Sequence, residues 1–487
     1  MIPFDSLIQL ERNSSVALFV QLANQLIGLI KQGHLAVGTP LPSSRVLAET
    51  LGVHRKTIVA AYDELIMQGW VETIPKKGTF VAFDIPQLQG AGKRMKTSVK
   101  VSTTPNFDWC SDPRLMPFEV KAHLKYHIDD GVSDSRWSPN AQLGKLYRQV
   151  LLDPTLPDLM GYGDPKGNQY LREVLVGYLN ETRGLDISTK NILITRGSQM
   201  GIHLSAKILV GPGDVVVVGE TNYSAADISF EKAGATLMRV PVDENGLDTK
   251  TLEELLKGNK IRAVYLTPHH HHPTTVTLNA RRRMQLLNLA QRYRFAIMED
   301  DYDYDFHYDH APILPLASHD SQGNVLYMGS VCKTVAPVFR VGYFIGPEQV
   351  IEEAARVRRY IDRQGDAVLE HAFARFIAQG HLEGHIRKVS REYKLRRDLG
   401  YALLKKEVGD YFDFDLPKGG MAFWAVLKAP YQWSTIAPKL EKLGLGIGDW
   451  MRYDRAQKGH GGIRIGFASK NPEEFAGMVR LLKQGFN

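Results

Sequence analysis

Lys333 stands on a polar turn in NVLYMGSVCKTVAPVFRVGYFIG, residues 324–346, between two apolar runs, with Ser330 before it and Arg340 after it. A lysine amine attacks a carbonyl carbon only after losing its proton, and a nearby cation and partly dry walls lower its pKa. Arg340 supplies that cation, and its planar fork, together with the Ser330 hydroxyl, suits a phosphate group. The combination fits the Schiff-base lysine of a pyridoxal-phosphate site, although a surface lysine on a loop has the same local pattern. In AIMEDDYDYDF, residues 296–306, an apolar run ends abruptly in acid and tyrosine. A pyridoxal ring withdraws electrons while its nitrogen stays protonated, which calls for a buried carboxylate beside it. Asp300 at the strand end fits that part. Tyr302, two residues on, projects to the same side and can reach the ring hydroxyl. A solvated acidic loop or a divalent-cation site are the competing readings of the same run.

These groups need a frame. ILITRGSQMGIHLSAKILVGPGDVVVVGE, residues 192–220, predicts strand, tight turn, helix and strand, with Gly197, Ser198 and Gln199 at the helix start. Free backbone N–H groups and the macrodipole make such a turn an anion cradle. From 215 to 300 the apolar runs VVVV, ATLMRV, AVYLTP and FAIME alternate with helical stretches at 225–234, 249–257 and 279–293. That alternation predicts a largely parallel sheet with crossover helices, whose ligands sit at the carboxyl ends of the strands. Tyr223, Thr267, Asp300 and Lys333 all follow apolar runs and so fall on that edge. Beyond 346 a helical region, 348–407, leads into MAFWAVL, APKLEKLG and IRIGFAS, which predict a small C-terminal α/β lobe.

The N-terminal segment has a different pattern. VALFVQLANQLIGLIKQ, residues 16–32, places Phe19, Leu22, Leu26 and Leu29/Ile30 on one helical face. PSSRVLAETLG offers Ser43 or Ser44 as an N-cap, and Gly52 turns the chain into a second helix beginning near His54. In that helix Ile58, Tyr62, Leu65 and Ile66 form the apolar face, leaving His54, Arg55, Lys56 and Thr57 exposed at its start, where a recognition helix meets base edges and phosphates. WVETIPKKGTFVAF then alternates as a hairpin around Lys76, Lys77 and Gly78, the wing of a winged helix-turn-helix that binds double-stranded DNA. Ordinary solvated basic faces are the bland alternative for each residue alone.

The chain has 487 residues, 44% hydrophobic content and a net charge of +7. That length predicts two or three domains with real cores. Residues 1–83 carry 7 Lys/Arg against 6 Asp/Glu, so bulk charge does not argue for DNA, and the distribution has to. Two cysteines, Cys110 and Cys332, argue against a disulfide framework. With no apolar run of spanning length and no leader-like start, a cytoplasmic protein without membrane attachment is expected. The boundaries read as a DNA-binding domain at 1–83, a flexible basic linker at 84–106 and a large domain at 107–487.

On these motifs residues 105–487 resemble a fold-type-I aminotransferase, and the whole chain resembles the MocR group of GntR-family regulators. The resemblance implies that Arg45 and Arg55–Thr57 contact DNA, with His54 standing where relatives usually have serine. It implies that Tyr223 stacks on the pyridine ring and that Tyr162 reaches the cofactor phosphate of a neighbouring subunit, so that a homodimer with exchanged residues completes each site. Arg464 matches the arginine that grips a substrate carboxylate, and Arg452 a position that some relatives use. In TPHHHHPTT, residues 267–275, His272 takes the place of an asparagine next to the cofactor hydroxyl, and Thr275 replaces a glycine. Adjacent histidines on an extended chain point alternately, so a ring contact by His272 is preferred to a metal site in His269–His272. Thr221-Asn222 replaces the family's proline–glycine, and Cys332 a serine. The expected function is transcriptional regulation that senses pyridoxal phosphate, an amino-compound effector, or both. An active aminotransferase with a regulatory head is the alternative, and a DNA-binding protein whose large domain only dimerises is a third.

Overall fold

In the computed structural model, the structure describes residues 2–85, 103–113, 115, 123–309, 311, 313–331 and 333–487. The chain separates into two compact units, Met1–Ser111 and Asp112–Asn487. Most of the expected linker, 86–102, and Cys332 lie outside the described residues.

The first unit joins a short helix, Phe4–Leu7, and three longer helices to a hairpin. Helix α1 (Leu18–Lys31) buries Leu22, Ala23, Leu26, Ile27, Leu29 and Ile30, a wider stripe than the spacing of its large residues alone implied. Helix α2 (Ser44–Leu51) is capped by Ser43, whose side chain accepts from the Val46 N–H, so Ser44 is its first helical residue. Gly52, at φ 61°, makes the left-handed turn into α3 (Arg55–Met67). His54 caps α3 through its ring, with Nδ1 accepting from the Lys56 N–H at 3.2 Å. Ile58, Ala61, Tyr62 and Leu65 form the buried face. Ile66, expected among them, is 41% exposed, because position i+8 has rotated to the margin of the stripe and Ala61 fills the inward position instead. Strands β1 (Val71–Ile74) and β2 (Gly78–Val81) pair antiparallel with Ile74 opposite Gly78, so Gly78 opens the second strand and the tip belongs to Pro75, Lys76 and Lys77.

The second unit is built on a seven-stranded sheet. In chain order its elements are α4 (Gln169–Arg183), β3 (Ile192–Thr195), α5 (Ser198–Leu209), β4 (Val215–Gly219), α6 (Ser224–Ala233), β5 (Thr236–Val240), α7 (Thr249–Gly258), β6 (Ile261–Leu266), α8 (Ala280–Tyr293), β7 (Ala296–Asp301), β8 (Val325–Ser330) and β9 (Gly342–Ile345). The spatial order is β3-β9-β8-β7-β6-β4-β5. Pairings among β4 to β8 are parallel, while β9 runs antiparallel to both β8 and β3. Strand alternation explains the near-continuous apolar runs, since both faces are covered. Val216 and Val218 pack with Ile202 and Phe230 of α5 and α6, whereas Val217 packs with Leu252 and Leu286 of α7 and α8 on the opposite face.

The region 348–407 is three helices rather than one continuous stretch: α9 (Glu348–Arg359), α10 (Ala367–Ala378) and α11 (His381–Val408). Gly380, at φ 72°, is the break between α10 and α11. A small antiparallel sheet of β10 (Phe412–Asp413), β11 (Ala422–Leu427) and β12 (Gly462–Gly466), backed by α12 (Pro472–Gln484), makes the C-terminal lobe. Its core, including Phe423, Phe467, Phe475 and Met478, also takes Val389 and Tyr393 from α11. Each such fully buried side chain contributes roughly 1.5–3 kcal/mol over leaving it exposed. No helix among the described residues is long and apolar enough to cross a membrane.

Candidate functional site

The carboxyl edge of the parallel strands gathers the chemistry-bearing residues, and because β9 starts at that edge and runs away from it antiparallel to β8, the segment between the two strands keeps Lys333 and Arg340 there. Lys333 Nζ donates to the Gly131 carbonyl at 2.9 Å and lies 4.8 Å from the centre of the Tyr302 ring. Burial lowers its pKa, opposed by Asp130 and reinforced by Arg464. Asp300, at the end of β7, is 3% exposed. Its Oδ2 accepts from the Tyr265 hydroxyl at 2.9 Å, while its Oδ1 is buried without a hydrogen-bond partner. Burial pushes the Asp300 carboxyl up to about 7 against the pull of the Tyr265 and Ser198 hydroxyls. A buried carboxyl with one unsatisfied oxygen is poised for an external N–H or cation.

Gly197 holds φ 78° and ψ 171°, a conformation almost restricted to glycine, and opens α5. A Cβ there would lie 2.7 Å from a guanidinium nitrogen of Arg340, so the absent side chain is what admits that cation. Arg340 itself takes φ 51° and donates to the Arg196 carbonyl at 2.5 Å. Ser198 is half-buried, Gln199 exposed, and the Ser330 hydroxyl donates to the Val341 carbonyl at 3.3 Å. Arginine, helix start and serine thus flank one end of the cleft.

Tyr223 precedes α6 and meets the His272 ring edge-on at 5.2 Å between centroids. Burial, with Asp300 and Asp130 nearby, pushes its hydroxyl up to about 12. The loop before it is fixed by Asn222, whose amide donates to Asp227 at 2.6 Å, which accounts for the path taken without the proline–glycine pair. The Tyr302 hydroxyl donates to the His270 carbonyl at 3.1 Å.

The four histidines diverge. His269 pairs with Asp301 at 3.1 Å, His270 with Asp303 at 2.8 Å, His271 with Thr274 at 2.9 Å and His272 with Asp130 at 3.0 Å. Only His272 faces the cleft residues Tyr223 and Tyr302, and burial lowers its pKa despite Asp130. Thr275 keeps a left-handed turn at φ 65°, strained for a β-branched residue, where glycine would sit freely.

Asp130 is the residue that sequence reasoning missed. It receives Arg464 Nε at 2.7 Å, the Tyr453 hydroxyl at 3.0 Å and His272 Nε2 at 3.0 Å, with Arg452 at 3.6 Å. Burial alone would raise its pKa, but His272 and Arg464 hold it below the usual carboxylate range. Arg464 is 2% exposed, and Arg452 has a 41% exposed side chain. Both candidate carboxylate grips therefore converge on one internal carboxylate. The doubled aspartate before Gly131 was the only signal in the sequence, and it sits in irregular chain with no periodicity to place it. Tyr162 stands apart: it is 80% exposed, with the Arg363 guanidinium 3.7 Å from its ring centre.

On the DNA-binding unit Arg45, His54, Arg55, Lys56, Lys76 and Lys77 are exposed and Thr57 is half-buried. Arg55 Nε donates to the Ser44 hydroxyl at 3.2 Å, tying the two helices of the motif at their exposed face.

An α/β domain of fold type I, with a lysine and a buried aspartate at its carboxyl edge, belongs to the aminotransferase class. Residues 154–446 match the family of class I and II aminotransferases, and residues 18–81 the gntR family of bacterial regulatory proteins. The HTH-type transcriptional regulator YisV of Bacillus subtilis is 30% identical over 85% of this chain and 85% of its own length. The probable rhizopine catabolism regulatory protein MocR of Rhizobium meliloti is 26% identical over 99% of this chain and 96% of its own. Among solved structures, a Pyrococcus horikoshii kynurenine aminotransferase shares 26% identity at a TM-score of 0.70, covering 75% of this chain and 91% of that one. The chain belongs to the MocR group of GntR-family regulators, DNA-binding transcriptional regulators with an aminotransferase-like domain. Its cofactor is pyridoxal 5'-phosphate. The residues present fit that group: the open Oδ1 of Asp300 suits a ring nitrogen, and the Gly197–Arg340 cradle suits a phosphate.

Proposed function

We propose that Lys333 anchors pyridoxal phosphate in a site that reads an amino-compound effector and passes its state to the DNA-binding unit. Bound there, pyridoxal phosphate supplies a carbonyl carbon that condenses with primary amines and a ring that withdraws electrons. Burial lowers the pKa of Lys333, which favours the neutral amine that condensation needs. Asp300 would hold a proton on the ring nitrogen, Tyr223 would stack on the ring with His272 beside the ring hydroxyl, Tyr302 would also reach that hydroxyl, and Arg340, Ser330 and the 197–199 turn would take the phosphate. The observation that carries this reading is the buried, unpartnered Oδ1 of Asp300 on the same strand edge as Lys333. The exposed Tyr162 is available to a second copy of the chain, in keeping with a homodimer whose subunits exchange residues. Arg45, Arg55, Lys56, Thr57 and the wing lysines Lys76 and Lys77 meet operator DNA, His54 and Ser43 shaping the helix starts that present them. A dimer carries two such heads and reads paired half-sites.

The test is fluorescence anisotropy of a fragment from upstream of this protein's own gene, titrated with wild type and Lys333→Ala, with and without pyridoxal phosphate at fixed salt. Pyridoxal phosphate should change the affinity or the limiting anisotropy only where Lys333 is intact. Equal responses from both proteins, or no preference over a scrambled fragment, would refute the sensor reading. A second reading, catalytic transamination, draws on the presence of Lys333, Asp300 and Arg464 in one cleft. It requires sustained turnover of an amino donor and a keto acceptor, and a single half-reaction does not satisfy it.

A further inference from the structure

Arg464 is the residue expected to grip the carboxylate of an amino acid, yet its Nε already pairs with Asp130 Oδ1 at 2.7 Å. The pair is not an accident of one flexible side chain. Asp130 is also met by His272, Tyr453 and Arg452, so four groups from three parts of the chain address one carboxylate. The backbone beneath it is pinned. Asp129 Oδ1 accepts from the N–H groups of Gly131 and Val132, both at 3.0 Å, and the Asp129 carbonyl accepts from the Gly466 N–H at 2.9 Å. Asp129 Oδ2 is held by the Ser469 hydroxyl at 2.6 Å and by Lys470. Gly131, at φ 82°, packs so closely that a Cβ would lie 3.3 Å from Ala422, Met421 and an Arg464 nitrogen. The segment cannot slide away as a lid would, so Asp130 is a resident wall of the cleft.

Two consequences follow from charge. A second carboxylate seated on Arg464 must evict Asp130 from its donors or lie beside it, and like charges in a site shielded from most solvent repel. An amine meets no such carboxylate repulsion: burial and Arg464 keep the pKa of the Lys333 nitrogen low, but Asp130, Asp303 and Asp129 all act to favour positive charge there. We propose that Asp130 selects the effector: by holding the Arg464 seat, it makes the cleft take primary amines that bear no carboxylate on the amine carbon, and disfavour α-amino acids. This rests on Lys333 being the cofactor lysine.

The test uses the full-length, cofactor-loaded protein and the visible absorbance of the bound cofactor, titrated with propylamine and with L-alanine. Wild type should half-saturate at lower propylamine than L-alanine. In Asp130→Asn and Asp130→Ser the L-alanine half-saturation should fall about ten-fold or more, ~1.4 kcal/mol, while that of propylamine changes little. A readout without cofactor uses propionate, which has no amine, followed by tryptophan fluorescence. Trp424 lies 5.7 Å from Tyr453 in the same wall and serves as the reporter. Propionate should bind the two variants saturably and wild type not. Wild type binding L-alanine or propionate as tightly as propylamine overturns the proposal without recourse to any variant, and so does an unchanged propylamine-to-alanine ratio in folded variants. If Lys333→Ala gives the same amine response as wild type, the cofactor reading itself fails. A Lys333-dependent response with an unchanged ratio removes only the role of Asp130.

Discussion

Substituting Gly197 by alanine strikes backbone and cofactor cradle at once. The residue sits at φ 78° and ψ 171°, and forcing a Cβ into such a conformation costs about 1–3 kcal/mol. The new methyl also falls 2.7 Å from one Arg340 nitrogen and 3.1 Å from its Cζ, inside any tolerable contact. The guanidinium is the end of a flexible chain and gives way more cheaply than the sheet, so it leaves the start of α5. Losing one charge-assisted hydrogen bond to a phosphate costs about 1.5–3 kcal/mol, or roughly 10- to 100-fold in affinity. Gly197→Ala should therefore weaken pyridoxal-phosphate binding by about that factor in an absorbance titration, and Arg340→Ala should do the same. Because both act through one guanidinium, the double variant should be little worse than either single one. Wild-type affinity in Gly197→Ala, or full additivity of the two changes, would refute the cradle.

Asp300 gives the cofactor-free protein a pH dependence. Its folded pKa of about 7 lies above the ordinary carboxylate value, so the folded state binds the extra proton between about 4 and 7, and unfolding free energy falls as pH rises through that window. In Asp300→Asn that part of the slope, followed by urea unfolding across pH, should disappear. On the reading head, Arg45→Ala and Lys77→Ala should each lower the slope of log affinity against log salt by about one, as expected for one lost phosphate contact, without changing sequence preference in competition with scrambled DNA.

The parts of this molecule that repeat a local rule were legible beforehand. Strand alternation and the helical stretches between 192 and 300 located the sheet because each buried strand carries its own apolar run, and Lys333 and Asp300 were placed at its carboxyl edge because they follow such runs. The Ser43-Ser44 pair and Gly52 marked the helix start and the turn of the DNA-binding unit through capping and left-handed geometry, and the structure selects Ser43 as the cap. What the local rules do not carry is pairing across the chain. Asp130 acquires its meaning from Arg464, Tyr453 and His272, each more than a hundred residues away, and nothing in IDDGVSD announces those partners. Ile66 was misplaced for a related reason: an apolar residue at the margin of a helical stripe is buried only if a neighbour covers it, and here Ala61, not Ile66, joins Ile58, Tyr62 and Leu65 in the buried face. The three-helix division of 348–407 depends on single turns such as Gly380, which a charge pattern does not reveal.

The histidine run has a practical side. His269, His270, His271 and His272 are at most 6% exposed, and each ring is engaged by a different partner inside the domain. A sequence that reads like a short purification tag is thus withheld from immobilised nickel for as long as the large domain stays folded. Chains retained by such a resin through this run are chains whose sheet edge has come apart, and the retained fraction becomes a gauge of unfolding that requires no added label.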